Sequence, residues 1–207
     1  SGPLDPYVTS DIDFLGTRTA AQEIARKLDT KLFVPPPEDH VQINSAVLLL
    51  EDSQMGSVVV DFLNQVAGLD AEKVKSRALE IEAFGTVFRV MHPVDCLASR
   101  FANLRLLPHK RNETGVAQAR LAIQIVRKFI GRVLTEGNER HALDLAEFVG
   151  RLARSPEVAQ TGTEHGLNIL EAIPEGLMPP AYREKQWPRV VARAERKKSK
   201  RRKKQNS

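Results

Sequence analysis

At 207 residues, 42% hydrophobic and 28% charged, the chain has the size and balance of a soluble globular protein with one domain or two small ones. No apolar run is long enough for a membrane helix, the first residues show no basic-then-apolar pattern, and the one cysteine, Cys96, excludes an internal disulfide or a multi-cysteine metal site, so a reducing, cytoplasmic setting is expected. The net charge of +5 is unevenly spread: residues 183–207 hold twelve Lys/Arg against Glu184 and Glu195, a local +10 that leaves −5 for the body.

In chain order, residues 10–15 read as a short strand. A helix follows over about Arg18–Leu28, with apolar positions at Ala21, Ile24, Ala25 and Leu28. Pro35-Pro36-Pro37 is a rigid connector that no helix or central strand can include. VQINSAVLLLED (41–52) and GSVVVDFLNQV (56–66) read as strands joined by a turn around Gly56, and so as antiparallel neighbours. After an irregular or helix-like stretch (70–77), residues 78–92 divide at Gly85-Thr86 into a hairpin. Its first strand alternates Leu79, Ile81 and Ala83 with Glu80 and Glu82, the pattern of an edge with one wet face.

From Pro93 the pattern becomes helical, over about 94–107, 115–135, 139–154 and 156–172, with breaks at Pro108, Gly137, Pro156 and Pro174. The expected organisation is an α+β fold: a small mixed-sheet domain over 1–92, a helical domain over 93–180, and a basic tail, disordered or helical, over 181–207. A block of like charge of this kind is a solvated tail that often meets nucleic acid, with Lys197, Lys198, Lys200, Arg201, Arg202, Lys203 and Lys204 as its contacts.

Three carboxylates stand inside strand-forming apolar sequence: Asp11, Asp13 and Asp61. An ionised carboxylate there is costly unless paired or bound to a cation. Asp11 and Asp13 share a face by their i, i+2 spacing, and Asp61 lies in a strand able to join the same sheet. Converging, the three make an oxygen-rich site for Mg²⁺ or Mn²⁺. A D-x-D pair alone also occurs in turns and exposed edges, where it makes only salt bridges.

S-D-I-D-F-L-G followed by V-V-V-D-F resembles the carboxylate signature of the DNA polymerase β-like nucleotidyltransferases, and more narrowly the bacterial abortive-infection toxin enzymes. HPVDCLASRFANLRLL (92–107) is similar to that family's proline-initiated helix carrying a basic residue. Arg100 stands where the family usually has lysine. The resemblance spans roughly residues 5–110. It implies that Asp11, Asp13 and Asp61 are catalytic metal ligands, with Asp61 as base for the incoming hydroxyl. It further implies that Ser10 and Arg100 meet the nucleotide, with Arg18, just after the first strand, close enough to assist. The implied reaction moves a nucleoside monophosphate from an NTP to a hydroxyl of tRNA or other RNA, a protein or a small molecule. A toxin–antitoxin role with a cognate antitoxin as partner follows from the same resemblance.

The family also carries a Gly-Gly or Gly-Ser turn at a helix start ahead of the D-h-D strand, where backbone N–H groups hold phosphate. Ser1-Gly2 has no helix-forming sequence around it, so that turn is expected upstream of Ser1, on another subunit, or not at all. A rival of another class is a non-catalytic nucleic-acid-binding or assembly protein that retains the fold. Among other residues, His92 reads as structural, Cys96 as core, and Lys110-Arg111 as a solvated loop. His40, His109, His141 and His165 have no metal-ligand spacing.

Overall fold

The computed structural model describes residues 11–35, 44–52, 56–83 and 85–195; of Asp11 and Asp52 only the backbone is described. The architecture is α+β, a small mixed sheet followed by a helical region. Contacts divide the chain into two units, Ser1–Ser76 and Arg77–Ser207. The change in sequence character at Pro93 and this division are separate features, because the hairpin of residues 79–90 groups with the helices.

The first unit is built on four strands: β1 (Asp11–Leu15), β2 (Lys31–Phe33), β3 (Asn44–Asp52) and β4 (Gly56–Leu63), in the order β1-β4-β3-β2. β3 and β4 pair antiparallel, as their shared turn requires, whereas β1 runs parallel to β4. Alternation puts Ala46, Leu48, Val60 and Phe62 on one face, where they form a core with Ala21 and Ala25 of helix α1 (Arg18–Leu28). Leu32, Leu50 and Val58 complete it. α1 starts where the Thr17 hydroxyl accepts from the N–H of Ala20. It seats on the sheet through its two alanines alone, so the wider stripe expected from sequence is corrected: Ile24 and Leu28 are exposed. β2 was not foreseen; its three residues offer one half-buried side chain, Leu32, too little for a periodic signal.

The chain leaves this unit through α2 (Ala71–Arg77), capped by the Asp70 carboxylate, which accepts from the N–H groups of Glu72 and Lys73. In the second unit β5 (Leu79–Ala83) and β6 (Thr86–Val90) form a separate two-stranded sheet turning at Gly85, where φ is +70°. The helices follow: α3 (Pro93–Leu106), α4 (Glu113–Thr135), α5 (Glu139–Arg154) and α6 (Pro156–Glu164). α4 is central, burying Ala119, Ala122, Ile123, Val126, Ile130 and Val133 at helical spacing against Leu97, Phe101 and Leu104 of α3 and Leu145 and Val149 of α5. Its start is packed tightly. Asn112 caps the N–H of Gly115 at 2.8 Å, and a Cβ on Gly115 would sit 1.9 Å from the carbonyl oxygen of Lys110.

The helix expected over 156–172 ends at Glu164 instead. The chain doubles back there: the N–H of Leu167 donates to the carbonyl of Gly162 at 2.8 Å, and Gly166 takes φ +62°. The bare backbone of Gly162 permits this turn, since a Cβ there would meet the Leu167 carbonyl oxygen at 2.7 Å. A 3-10 turn, Ile169–Ala172, resumes the path. Residues 180–195 are helical (α7), with a π-turn over Tyr182–Gln186. Pro188 accounts for that widening: it has no N–H for the carbonyl four residues back, and its ring needs room. Among the described residues no helix is long and apolar enough to cross a membrane.

Candidate functional site

The sheet of the first unit has one face covered by α1 and one that carries Asp13, Asp61, Val47, Val59 and Leu49. The parallel register sets Asp13 directly opposite Asp61. Neighbouring strands lie about 4.8 Å apart, and paired positions project to the same side. Two carboxylates are therefore side by side on adjacent strands, the arrangement that the sequence spacing alone left open. Asp13 is exposed and Asp61 half-buried.

Asp61 is oriented by Asn44, whose Nδ2 donates to its Oδ1 at 2.9 Å. Asn44 was missed on sequence, where it reads as one polar residue at the head of an apolar strand. Next to it, the Ser45 hydroxyl donates to the carbonyl of Phe62 at 2.9 Å and to that of Gly16 at 3.3 Å. The N–H of Gly16 in turn donates to the carbonyl of Leu63, so β1, β3 and β4 are tied just beyond the two aspartates. On the opposite face the half-exposed ring of Phe14 stacks on the buried ring of Phe62 at 5.8 Å between centroids.

The other expected residues divide by position. The backbone of Asp11 lies opposite Val59, two residues before Asp13 on β1. Arg18, at the start of α1, donates to the carbonyls of Ser45 and Pro35, both at 3.4 Å, so it clamps α1 to the strand ends. Arg100 belongs to the second unit, on α3, and donates to the Gln118 side chain at 3.3 Å. Ser10 and the tail residues Lys197, Lys198, Lys200, Arg201, Arg202, Lys203 and Lys204 lie outside the described residues. Among the described residues no group of three or more His, Cys, Asp or Glu side chains gathers to hold a metal; the Asp11 side chain is not among them. The donor chemistry nevertheless fits a hard cation, since two adjacent carboxylates, one anchored by an amide, offer oxygen ligands on an open face.

The second unit holds groups of another kind. His92 is buried as the N-cap of α3, its Nδ1 accepting from the N–H of Val94 at 3.2 Å, with its ring edge-on to Phe129. Burial pushes its pKa down; Asp95 acts against that shift, and His141 and Arg77 add to it. Asp95, fully buried, receives both Arg77 donors, at 2.9 Å and 2.5 Å. Cys96 lies partly buried, its thiol pushed up mainly by burial, which suits packing better than nucleophilic use. Compared with protein-family models, with curated proteins and with solved structures, the chain finds no match.

Proposed function

We propose that the chain is a metal-dependent nucleotidyltransferase that moves a nucleoside monophosphate from an NTP to a hydroxyl acceptor. The observation that carries the reading is the register of β1 on β4, which brings Asp13 beside Asp61 with Asp11 two residues away. Carboxylates so placed repel each other, and a cation between them turns that repulsion into shared ligation. Asp11, Asp13 and Asp61 would hold Mg²⁺ or Mn²⁺, which supplies charge neutralisation for the triphosphate and the leaving pyrophosphate. Asp61, steadied by Asn44, accepts the proton of the attacking hydroxyl.

The test uses the full chain with each of the four NTPs. NTP and Mg²⁺ together should raise the melting temperature, and Asp13→Asn should abolish that rise. With Mn²⁺ and α-labelled NTPs, label should pass to RNA or protein with the wild type and not with Asp61→Asn. Absence of both the thermal shift and label transfer with all four nucleotides overturns the reading. The toxin role adds one readout: expression of the wild type should slow bacterial growth, and expression of Asp13→Asn should not.

A further inference from the structure

The geometry points to an ordered nucleic-acid-binding face on α7, ahead of the basic segment in which sequence placed such contacts. Tyr182 and Ala194 are buried, and Trp187, Val190 and Val191 half-buried, so one side of this helix is docked on the helical unit. Lys185, Arg189 and Arg193 recur every four residues and are all exposed, forming one stripe away from the docked side. They are about 6 Å apart along the axis. The helix has two carboxylates, Glu184 and Glu195, and Glu195 lines a cavity of about 440 Å³ with Glu171, Glu175 and Trp187. Much of the acid of this region is thus gathered at the cavity.

Three features favour a phosphate backbone over other anionic partners. A helix that binds lipid needs its apolar side free to enter the interface, and here that side is already packed. A protein partner is anchored by aromatic and apolar side chains at the centre of the contact, whereas residues 196–207, RKKSKRRKKQNS, contain none. Finally, the stripe leads in sequence into that segment, which adds eight more Lys/Arg between Arg196 and Lys204. This face is independent of nucleotidyl transfer, since phosphate attraction requires no carboxylate site.

The experiment compares the full-length wild type with the triple variant Lys185→Gln, Arg189→Gln, Arg193→Gln, binding a labelled single-stranded RNA by anisotropy across a KCl series. A control variant, Arg105→Gln, Arg120→Gln, Arg140→Gln, removes the same charge from exposed positions elsewhere in the unit. Unchanged Trp187 melting shows that each variant is folded. The stripe variant should lose at least about tenfold in affinity and lower the salt slope by about 2, for three contacts at about 0.7 each, while the control keeps the wild-type slope within about 0.5. Equal loss in both variants, or none in the stripe variant, overturns the proposal. So does loss of phosphatidylserine-vesicle binding with RNA binding intact, which would assign the face to a membrane surface.

Discussion

Asp95 exposes no surface, and both of its oxygens are held by one guanidinium, which also lies over the Phe148 ring at 5.2 Å. Removing one member of such a pair leaves a buried charge uncompensated. Asp95 is the buried member, so Arg77→Met should lower stability by about 3 kcal/mol, while Arg77→Met with Asp95→Leu should recover much of that loss. Denaturant unfolding of the single and the double variant separates the two outcomes, and equal loss in both would remove the pair from this role. Sequence showed Asp95 only as an acid in the first turn of a helix, a place acids favour for the helix dipole. Its partner lies 18 positions earlier, beyond any local pattern.

His92 decides how α3 begins. Its ring accepts a hydrogen bond through Nδ1, so the cap exists only while that nitrogen is unprotonated. The folded pKa lies below the ordinary 6.5, with burial as the main cause. Between that lowered value and 6.5 the unfolded chain binds the proton and the folded chain does not, so stability rises with pH across this window. It is lost as pH falls below 6.5. Melting followed from pH 7 to pH 5 should show this slope, and His92→Asn, which caps without titrating, should flatten it. A slope unchanged in His92→Asn would place the pH dependence elsewhere. Elements with a periodic apolar face and a break at each end, such as α1, α4 and α5, were legible to within a few residues. The end of α6 was not, because it depends on Leu167 folding back over Gly162, a contact that propensity does not report.

Two cores of unequal weight hold the molecule. The sheet unit relies on Ala21, Ala25, Ala46, Leu48, Val60 and Phe62, whereas the helical core gathers long side chains from α3, α4, α5 and the segment beyond. Leu48→Ala should cost about 2–5 kcal/mol, a large share of what a core of that size supplies. Trp187 is the single tryptophan and packs against the helical core, so its fluorescence follows the second unit alone. Leu48→Ala should lower part of the far-UV circular dichroism transition and leave the Trp187 transition in place; a matched fall in both would mean that the units unfold together. The uneven charge was plain from sequence, and so were the carboxylate positions. Their meeting was not, because a parallel pair has no connecting turn to count from.

That missing turn has a consequence for Asp13 and Asp61. An antiparallel hairpin keeps its register through its loop, but β1 is aligned on β4 only by what the two strands share along their length. The stacked Phe14 and Phe62 rings on the opposite face, with the Ser45 hydroxyl bridging the ends, belong to that shared content. A slip of one residue would carry the β1 aspartate to the other face of the sheet, beside Phe62. The aromatic pair thus acts as a ruler read from the far side, and the spacing of the two acids is a dimension set from the opposite face of the sheet.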